Sequence, residues 1–236
     1  MIGDYRADRF HEAGLLALRD LERALLAEGR AWTDLGDVLD FGVGCGKLLR
    51  WLRTAAPHLR VRGTDIDSWA VSWLRGAYDG VDVRRNEEWP PLDYPDASFD
   101  LVVAISVFTH LDGPHQLAWL RELRRVLRSG GILLATYEGR SKWAGFFATA
   151  PEHPGMREYR RRYESEGFLF VTNDGWAGVF PDFYHSTFQT PEFVRERWGQ
   201  ELEVRAVIPD GLRGNWGNQD LVVLRNPGED RASGAA

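Results

Sequence analysis

Three glycines at alternate positions, Gly42, Gly44 and Gly46, have the clearest chemical meaning in this sequence. They follow a short apolar run at residues 38–41 and precede a segment from Lys47 in which leucines recur at helical spacing. Glycine permits positive φ and close approach of a ligand to the backbone, and the first turn of a helix offers free N–H groups. The pattern therefore favours a ligand site at a strand-to-helix turn over a merely structural turn.

An acidic residue, Asp65, ends the next predicted strand, 21 residues beyond Gly44. A carboxylate accepts two hydrogen bonds from the vicinal hydroxyls of a ribose, and an acid at about this distance is typical of adenosine sites. An alternative is that Asp65 or Asp67 only caps the following helix, and we expect Asp65 to bind ribose while Asp67 or Ser68 caps. A nicotinamide-dinucleotide loop needs a sixth-position glycine, but that residue is Lys47, so the loop suits a cofactor without a pyrophosphate.

The elements that must position these residues alternate between apolar runs and segments of helical periodicity. Strands are predicted at residues 38–41, 61–64, 81–83, 99–105, 132–135, 203–208 and 220–224. Helices are predicted at 8–28, at 47–55, from Asp67 or Ser68, along leucines 117–127 with an end at Gly130-Gly131, at 155–165, and from Thr190-Pro191. Alternation of this kind predicts an α/β fold, a doubly wound Rossmann-like sheet of seven mostly parallel strands.

The alternation breaks after Tyr137, where a segment rich in glycine, proline and aromatic residues begins. A long structureless loop is unusual inside a compact domain, so we expect a cap inserted after strand five, at residues 138–189. The chain is then one domain over residues 1–236. Residues 30–137 form its cofactor-binding core, and residues 190–226 supply the C-terminal helix and strands that complete the sheet.

Composition restricts the classes of partner. The net charge is −6 and the pI about 5.6, without the basic stripe of a nucleic-acid-binding protein, so nucleic acid is an unlikely partner. No apolar run approaches the roughly 20 residues of a membrane span, and no signal-peptide pattern is present. A single cysteine, Cys45, excludes an internal disulfide. These features favour the cytoplasm and no membrane partner.

Over residues 35–137, four segments occur in the order found in class I S-adenosylmethionine-dependent methyltransferases. They are residues 38–46, 63–67, 90–102 and 125–131, which resemble the first motif, the second motif, the approach to strand four and the turn into strand five. Residues 106–111 and 218–224 resemble a bacterial subgroup of that family with diverse substrates. The resemblance implies S-adenosylmethionine as cofactor and methyl transfer as activity. Residues 138–183 match nothing in it.

The resemblance also implies roles for individual positions. Asp40 and Gly42 would face the methionine end of the cofactor, with Gly44 and Gly46 beside them. Asp65 would hold the ribose, Ile66 would pack on the adenine, Asn86 and Glu87 would meet the adenine edge, and Ser106 would lie beside the sulfonium. The family often has an acid at the position of Asn86, whose amide can still make the contact.

A general base is needed only if the methyl acceptor arrives protonated, and histidine is the natural candidate at neutral pH. We rank His185 first and His110 second, and Tyr184 could orient the acceptor or serve only in packing. The remaining histidines are His153 within the cap and three that look like surface or helix positions, His11, His58 and His115. No metal constellation stands out, since Asn173-Asp174 is the only acid–amide pair near the cap.

These observations predict methyl transfer to an oxygen or nitrogen of a small molecule, with aromatic and natural-product-like acceptors included. Methylation of a protein or RNA, and a cofactor-binding module without transferase activity, stay open as alternatives. Lys47 argues against a nicotinamide-dependent oxidoreductase. We also allow for a homodimer, on which the sequence is silent.

Overall fold

The computed structural model describes residues 7–149, 155–172, 181–213 and 218–228. Its strands are β1 Asp37–Phe41, β2 Arg60–Asp65, β3 Asp82–Arg85, β4 Phe99–Ala104, β5 Leu127–Tyr137, β6 Phe168–Val171, β7 Ser186–Gln189, β8 Glu203–Leu212 and β9 Gln219–Arg225. Its α-helices are α1 Ala7–Ala27, α2 Leu49–Ala55, α3 Ser68–Ala77, α4 Gly113–Val126, α5 Arg140–Thr149, α6 Met156–Glu166 and α7 Pro191–Arg197.

The main sheet has seven strands in the order β3-β2-β1-β4-β5-β9-β8. Strands β1 to β5 pair in parallel, while β9 is antiparallel to both β5 and β8. The predicted Rossmann-like, mostly parallel sheet is therefore confirmed. The strand order reverses between β1 and β4, and in open α/β sheets the crevice at such a switch point, beyond the carboxyl ends of the strands, holds the ligand.

Helices cover both faces of this sheet, which explains why its central strands are continuously apolar. On one face, Trp119, Leu120 and Leu123 of α4 pack with residues of β4, β5 and β9. On the other face, Leu21 of α1 and Leu52 of α2 pack against the opposite side of the same strands. The two clusters together fix the central strands, and with them the position of every loop at their carboxyl ends.

Side-chain caps set the starts of three helices. Asp67 accepts hydrogen bonds from the backbone N–H groups of the first turn of α3, so Asp67, and not Ser68, is the cap. Asp112 caps α4 in the same way. Thr190 caps α7 through the N–H of Phe193, with proline at the first helical position, as the sequence predicts.

The end of α4 was predicted wrongly. The helix ends at Val126, and β5 begins at Leu127, five residues before its predicted start. Leu127 has extended backbone angles and pairs with Phe99 of β4, and Gly130 has φ +74° within the strand. Pairing with β4 thus overrides the helical spacing of the leucines, which continues through Leu127.

Between β5 and α7, the described residues form two helices and a hairpin. The predicted helix at 155–165 is present as α6, whereas α5 and the antiparallel pair β6–β7 were not predicted. Strand β7 joins the rest of the protein through backbone bonds: Thr187 N–H donates to the carbonyl of Thr109, and Gln189 N–H to that of Glu138. Throughout the described residues, no helix combines the length and apolar character that crossing a bilayer requires.

Candidate functional site

The glycine loop lies at the carboxyl end of β1, at the reversal of strand order. Gly42, Gly44 and Gly46 all have positive φ, +77°, +50° and +74°. A Cβ atom at Gly42 would overlap Val107 Cγ2, and one at Gly46 would lie 2.7 Å from Leu74 Cδ2, whereas one at Gly44 would meet nothing within 4 Å. Packing explains two of the glycines, and at the third the space that a side chain would occupy is open.

Asp40, in β1 just before the loop, is a buried acid. It is 3% exposed, and among the described residues its Oδ2 has no hydrogen-bond partner. Burial, together with the charge of the nearby Asp65, raises the pKa of Asp40 to about 7, although Lys47 acts in the opposite direction. An unsatisfied buried carboxyl costs stability, so its presence at a strand end marks a place where a ligand can supply the missing donor.

Asp65 ends β2 and is held by the glycine loop itself. Its Oδ2 accepts from Gly44 N–H at 2.7 Å and its Oδ1 from Asp67 N–H at 2.9 Å. Burial raises the pKa of Asp65, and these two backbone hydrogen bonds lower it. Each carboxylate oxygen has a second lone pair, so the fixed carboxylate can still accept from a ligand hydroxyl.

The three predicted adenine contacts follow β2 and β3. Ile66, which follows Asp65, is 39% exposed. Asn86 Oδ1 accepts from Thr64 Oγ1 at 3.0 Å, and its Nδ2 donates to the Glu87 carbonyl at 2.9 Å. Asn86 is therefore held in place by its neighbours, while the Glu87 side chain lies at the surface.

Ser106, just beyond β4, has φ +57°, a conformation that is costly outside glycine and tends to occur at functional sites. Its N–H donates to Thr136 Oγ1 at 2.8 Å. Its Oγ lies 3.0 Å from Oε1 and 2.8 Å from Nε2 of Gln219, at the start of β9. The last described strand thus contributes directly to the residue predicted to lie beside the sulfonium.

The three predicted acceptor-side residues come together. The rings of His110 and Tyr184 stack at a centroid distance of 4.7 Å, and His185 N–H donates to the His110 carbonyl at 2.8 Å. His185 is 2% exposed, and its ring makes an edge contact with Phe170 at 5.7 Å. Burial raises the pKa of Tyr184, and the charge of Asp65 adds to this. Tyr184 is therefore protonated at neutral pH and can donate a hydrogen bond.

Sequence reasoning missed a second histidine cluster. His115 is in α4, as expected, but it is buried at 4% exposure and not at the surface. Its two ring nitrogens contact Asp112 and Glu88, and its ring lies between those of Trp89 and Phe183. The spacing of Asp112 and His115, three residues apart at a helix start, was the available signal.

Several predicted features lie elsewhere. His153 and the pair Asn173-Asp174 lie outside the described residues. Within the described part of the chain, no group of three or more histidine, cysteine, aspartate or glutamate side chains could hold a metal ion. The helices between β5 and α7 enclose an aromatic cluster in which Trp143 stacks on Tyr163 at 4.7 Å and meets Phe188 at 5.6 Å.

Comparison with known proteins agrees with this geometry. Residues 39–135 match the family model of a methyltransferase domain. A probable S-adenosylmethionine-dependent methyltransferase of Mycolicibacterium smegmatis is 38% identical over 104 residues, which is 44% of this chain and 38% of the relative. The malonyl-[acyl-carrier protein] O-methyltransferase of Hahella chejuensis is 31% identical over 101 residues, 42% of this chain and 36% of the relative. The chain thus spans well under half the length of these relatives.

Among solved structures, an S-adenosylmethionine-dependent methyltransferase from Mesorhizobium loti has a TM-score of 0.60 at 20% identity, covering 86% of this chain and 96% of that one. The strand order and the ligand loop at the switch point define a Rossmann-like nucleotide-cofactor domain. Together with the family match over residues 39–135, they show that this chain contains a segment similar to class I S-adenosylmethionine-dependent methyltransferases.

Proposed function

We propose that this chain transfers a methyl group from S-adenosylmethionine to an oxygen or nitrogen of a small molecule bound between the loops after β4 and the insertion at residues 138–189. The buried Asp40 Oδ2 without a partner in the described residues is the observation that supports this most strongly. The family resemblance places the methionine end of the cofactor there, and an α-ammonium group would supply the hydrogen-bond donor that Asp40 lacks. The site therefore fits the cofactor.

The remaining proposed cofactor contacts lie on two sides of the glycine loop, one for the adenosine and one for the methyl group. The space that a side chain at position 44 would occupy is open, so the ligand can approach Gly44 closely, while the Gly44 N–H holds Asp65 in place. Asp65 offers free lone pairs for the ribose hydroxyls, and Ile66 an exposed apolar surface for the adenine, whose edge Asn86 and Glu87 would meet. On the far side, Ser106 would lie next to the methyl group.

The cofactor supplies an activated methyl group on a sulfonium that leaves readily, so the protein has to align the acceptor and exclude water. His110, Tyr184 and His185 lie at the carboxyl end of β4, beyond Ser106. Tyr184 keeps its proton and can hold an acceptor oxygen. For an acceptor that arrives protonated, His185, or His110 as second choice, takes the proton.

A small acceptor is favoured by two features. The insertion is built on an aromatic cluster that includes Trp143, Phe146 and Phe188, which suits an apolar or aromatic molecule. The net charge of −6 disfavours a polyanionic substrate such as RNA. One relative is named an O-methyltransferase, which supports oxygen as the accepting atom.

Calorimetric titration with S-adenosylhomocysteine tests the proposal at its first step. We expect wild-type protein to bind, and Asp65→Ala to weaken binding at least about tenfold, because two hydroxyl contacts to a charged acceptor are lost. Asp93→Ala serves as the matched control and should bind as wild type does, since its side chain is 94% exposed and pairs with Arg84, which is not among the proposed cofactor contacts.

Absence of binding to wild-type protein, or equal binding by Asp65→Ala, would overturn the proposal. Once binding is established, formation of S-adenosylhomocysteine in the presence of phenols, carboxylic acids and amines identifies the acceptor class. Loss of turnover with unchanged cofactor affinity in His185→Gln or His110→Gln then shows which histidine is the base.

A further inference from the structure

We propose that His115 is a positioning residue that joins the adenine side of the site to its acceptor side. The adenine side is the loop at residues 86–89, and the acceptor side is the segment at residues 183–185. The inference rests on the proposed function, because that function assigns cofactor contacts to the first segment and acceptor contacts to the second. Its consequence is that filling the cofactor site orders the residues that receive the acceptor.

The geometry around His115 is closed on four sides. Nδ1 lies 2.7 Å from Asp112 Oδ1, and Nε2 lies 3.2 Å from Glu88 Oε1. The ring stacks on Trp89 at a centroid distance of 3.8 Å and on Phe183 at 4.5 Å. One imidazole therefore contacts the 86–89 loop twice, the 183–185 segment once and its own helix cap once.

The two hydrogen bonds also determine which protonation state of His115 allows all four contacts to exist together. An ionised carboxylate can only accept, and a neutral imidazole has one N–H, so both bonds exist together only when His115 is the imidazolium cation. Stacking between two aromatic rings favours the cation as well. Asp112 and Glu88 are the charged side chains in contact with it in the described part of the chain. Loss of the proton removes one bond, and the longer one, to Glu88, is the weaker of the two.

Both joined segments lead directly to site residues. Glu88 follows Glu87 and Asn86, and its carbonyl also accepts from Trp119 Nε1 at 3.1 Å. Phe183 precedes Tyr184 and His185, and its carbonyl accepts from Asp112 N–H at 3.3 Å. A shift of the 86–89 loop on cofactor binding is therefore transmitted through one ring to the backbone that carries Tyr184.

The test compares wild type with His115→Phe and Trp119→Phe. His115→Phe keeps a ring between Trp89 and Phe183 and removes both hydrogen bonds. The variant should fold, because Glu88 is half-exposed and Asp112 still caps α4 through the N–H of residue 115. Trp119→Phe is the matched control, since it removes a hydrogen bond to the same loop from the same helix without a titrating group.

The first readout is the Kd for S-adenosylhomocysteine as a function of pH. For His115→Phe we expect a Kd about tenfold above wild type at pH 6, the size of one hydrogen bond to a charged group, and a ratio approaching one at pH 9. The α-amino group of the ligand titrates equally in both proteins, so the ratio isolates His115. For Trp119→Phe the ratio should not change with pH. A constant ratio for His115→Phe would overturn the proposal.

The second readout is amide hydrogen exchange of residues 183–189, where the N–H groups of His185 and Thr187 bond to the segment after β4. In wild type at pH 6, S-adenosylhomocysteine should slow this exchange, and in His115→Phe it should slow exchange of the glycine loop alone. Equal protection of residues 183–189 in both proteins would refute the coupling. If wild type bound no ligand, the proposed function would fail instead. The joining role would then be judged by whether His115→Phe speeds exchange of both segments in the free protein.

Discussion

The two ends of β1 carry aspartates three residues apart, Asp37 and Asp40, whose charges meet opposite surroundings. Both are buried. Asp37 accepts from Arg60 through both oxygens, and also from Arg62 and Arg128, and these guanidinium groups, Arg60 above all, hold its pKa well below the usual range. Asp40 has an oxygen without a partner in the described residues and a pKa of about 7.

The difference separates an end of the sheet whose acids are paired within the chain from an end where, in the proposed function, a ligand supplies the donor. At the amino end, Asp100 extends the network by accepting from Arg128 and from the backbone of Gly36 and Asp37. Each carboxylate oxygen of Asp37 and Asp100 thus accepts from an arginine or a backbone N–H group of this chain. At the carboxyl end, Asp40 Oδ2 has no partner in the described residues, and in the proposed function the cofactor supplies the donor.

The largest expected effect comes from Asp40→Asn. If Asp40 receives the α-ammonium of the ligand, its loss removes one member of a buried charge pair, which costs about 2 to 5 kcal/mol. The Kd for S-adenosylhomocysteine at pH 8 should therefore rise at least about thirtyfold, measured by calorimetry. Unchanged affinity would contradict the proposal that Asp40, unlike Asp37, contacts the ligand.

The same variant should change stability in the opposite direction, with a defined dependence on pH. Because the pKa of Asp40 is raised to about 7, the native state keeps a proton that the unfolded state loses from about pH 4 upward. This group therefore lowers wild-type stability as pH rises from about 4 to 7, by up to about 1.4 kcal/mol per pH unit. In urea unfolding, the free energy of unfolding of Asp40→Asn should therefore increase relative to that of wild type across this pH range. Above it, the difference between the two proteins should stay constant.

Asp37→Asn should lower the free energy of unfolding and leave the affinity for the ligand nearly unchanged. Removing the charge leaves three arginines facing an amide, and because these arginines are partly exposed to water, the free energy of unfolding should fall by about 2 kcal/mol, less than for a fully buried pair. The lowered pKa of Asp37 means that its contribution is present at neutral pH and is lost in strong acid. Cofactor affinity should stay within twofold of wild type, and a larger change would show that the amino end also serves the site.

The smallest effect should come from Arg128→Gln. Arg128 bonds to Asp37 at 2.8 Å and to Asp100 at 2.6 Å, but both acids keep other partners. We expect a loss of about 0.5 to 1 kcal/mol in the free energy of unfolding, as for a partly exposed ion pair. A loss as large as that of Asp37→Asn would mean that the arginines do not substitute for one another.

Most of the fold was predictable because local patterns encode it, and the same kind of pattern is the basis of the proposed cofactor contacts. The apolar run at residues 38–41, the alternate glycines and the acid at position 65 each depend on neighbours in sequence. Thr190 and Pro191 predicted the start of α7 for the same reason. The sheet class followed from the alternation of these local units.

What escaped prediction depends on contacts between distant residues. The extension of β5 back to Leu127 requires its pairing with Phe99, and the hairpin β6–β7 forms against the segment after β4. His115 becomes a buried, bonded residue only when Glu88 and Phe183 reach it from remote parts of the chain. Gln219 meets Ser106 across 113 residues. A sequence pattern records spacing along one element, and these partners belong to different elements.

The late arrival of β9 has a consequence for synthesis on the ribosome. When β1 to β5 have left the exit tunnel, the glycine loop can form, but the outer edge of β5 has no strand beside it and Ser106 lacks Gln219. Such an open apolar edge can pair with another chain. About 80 further residues, from 138 to 218, must therefore be synthesised while this edge of β5 is unpaired. Translation speed over that stretch should influence yield, and a chaperone that shields the edge of β5 should raise it.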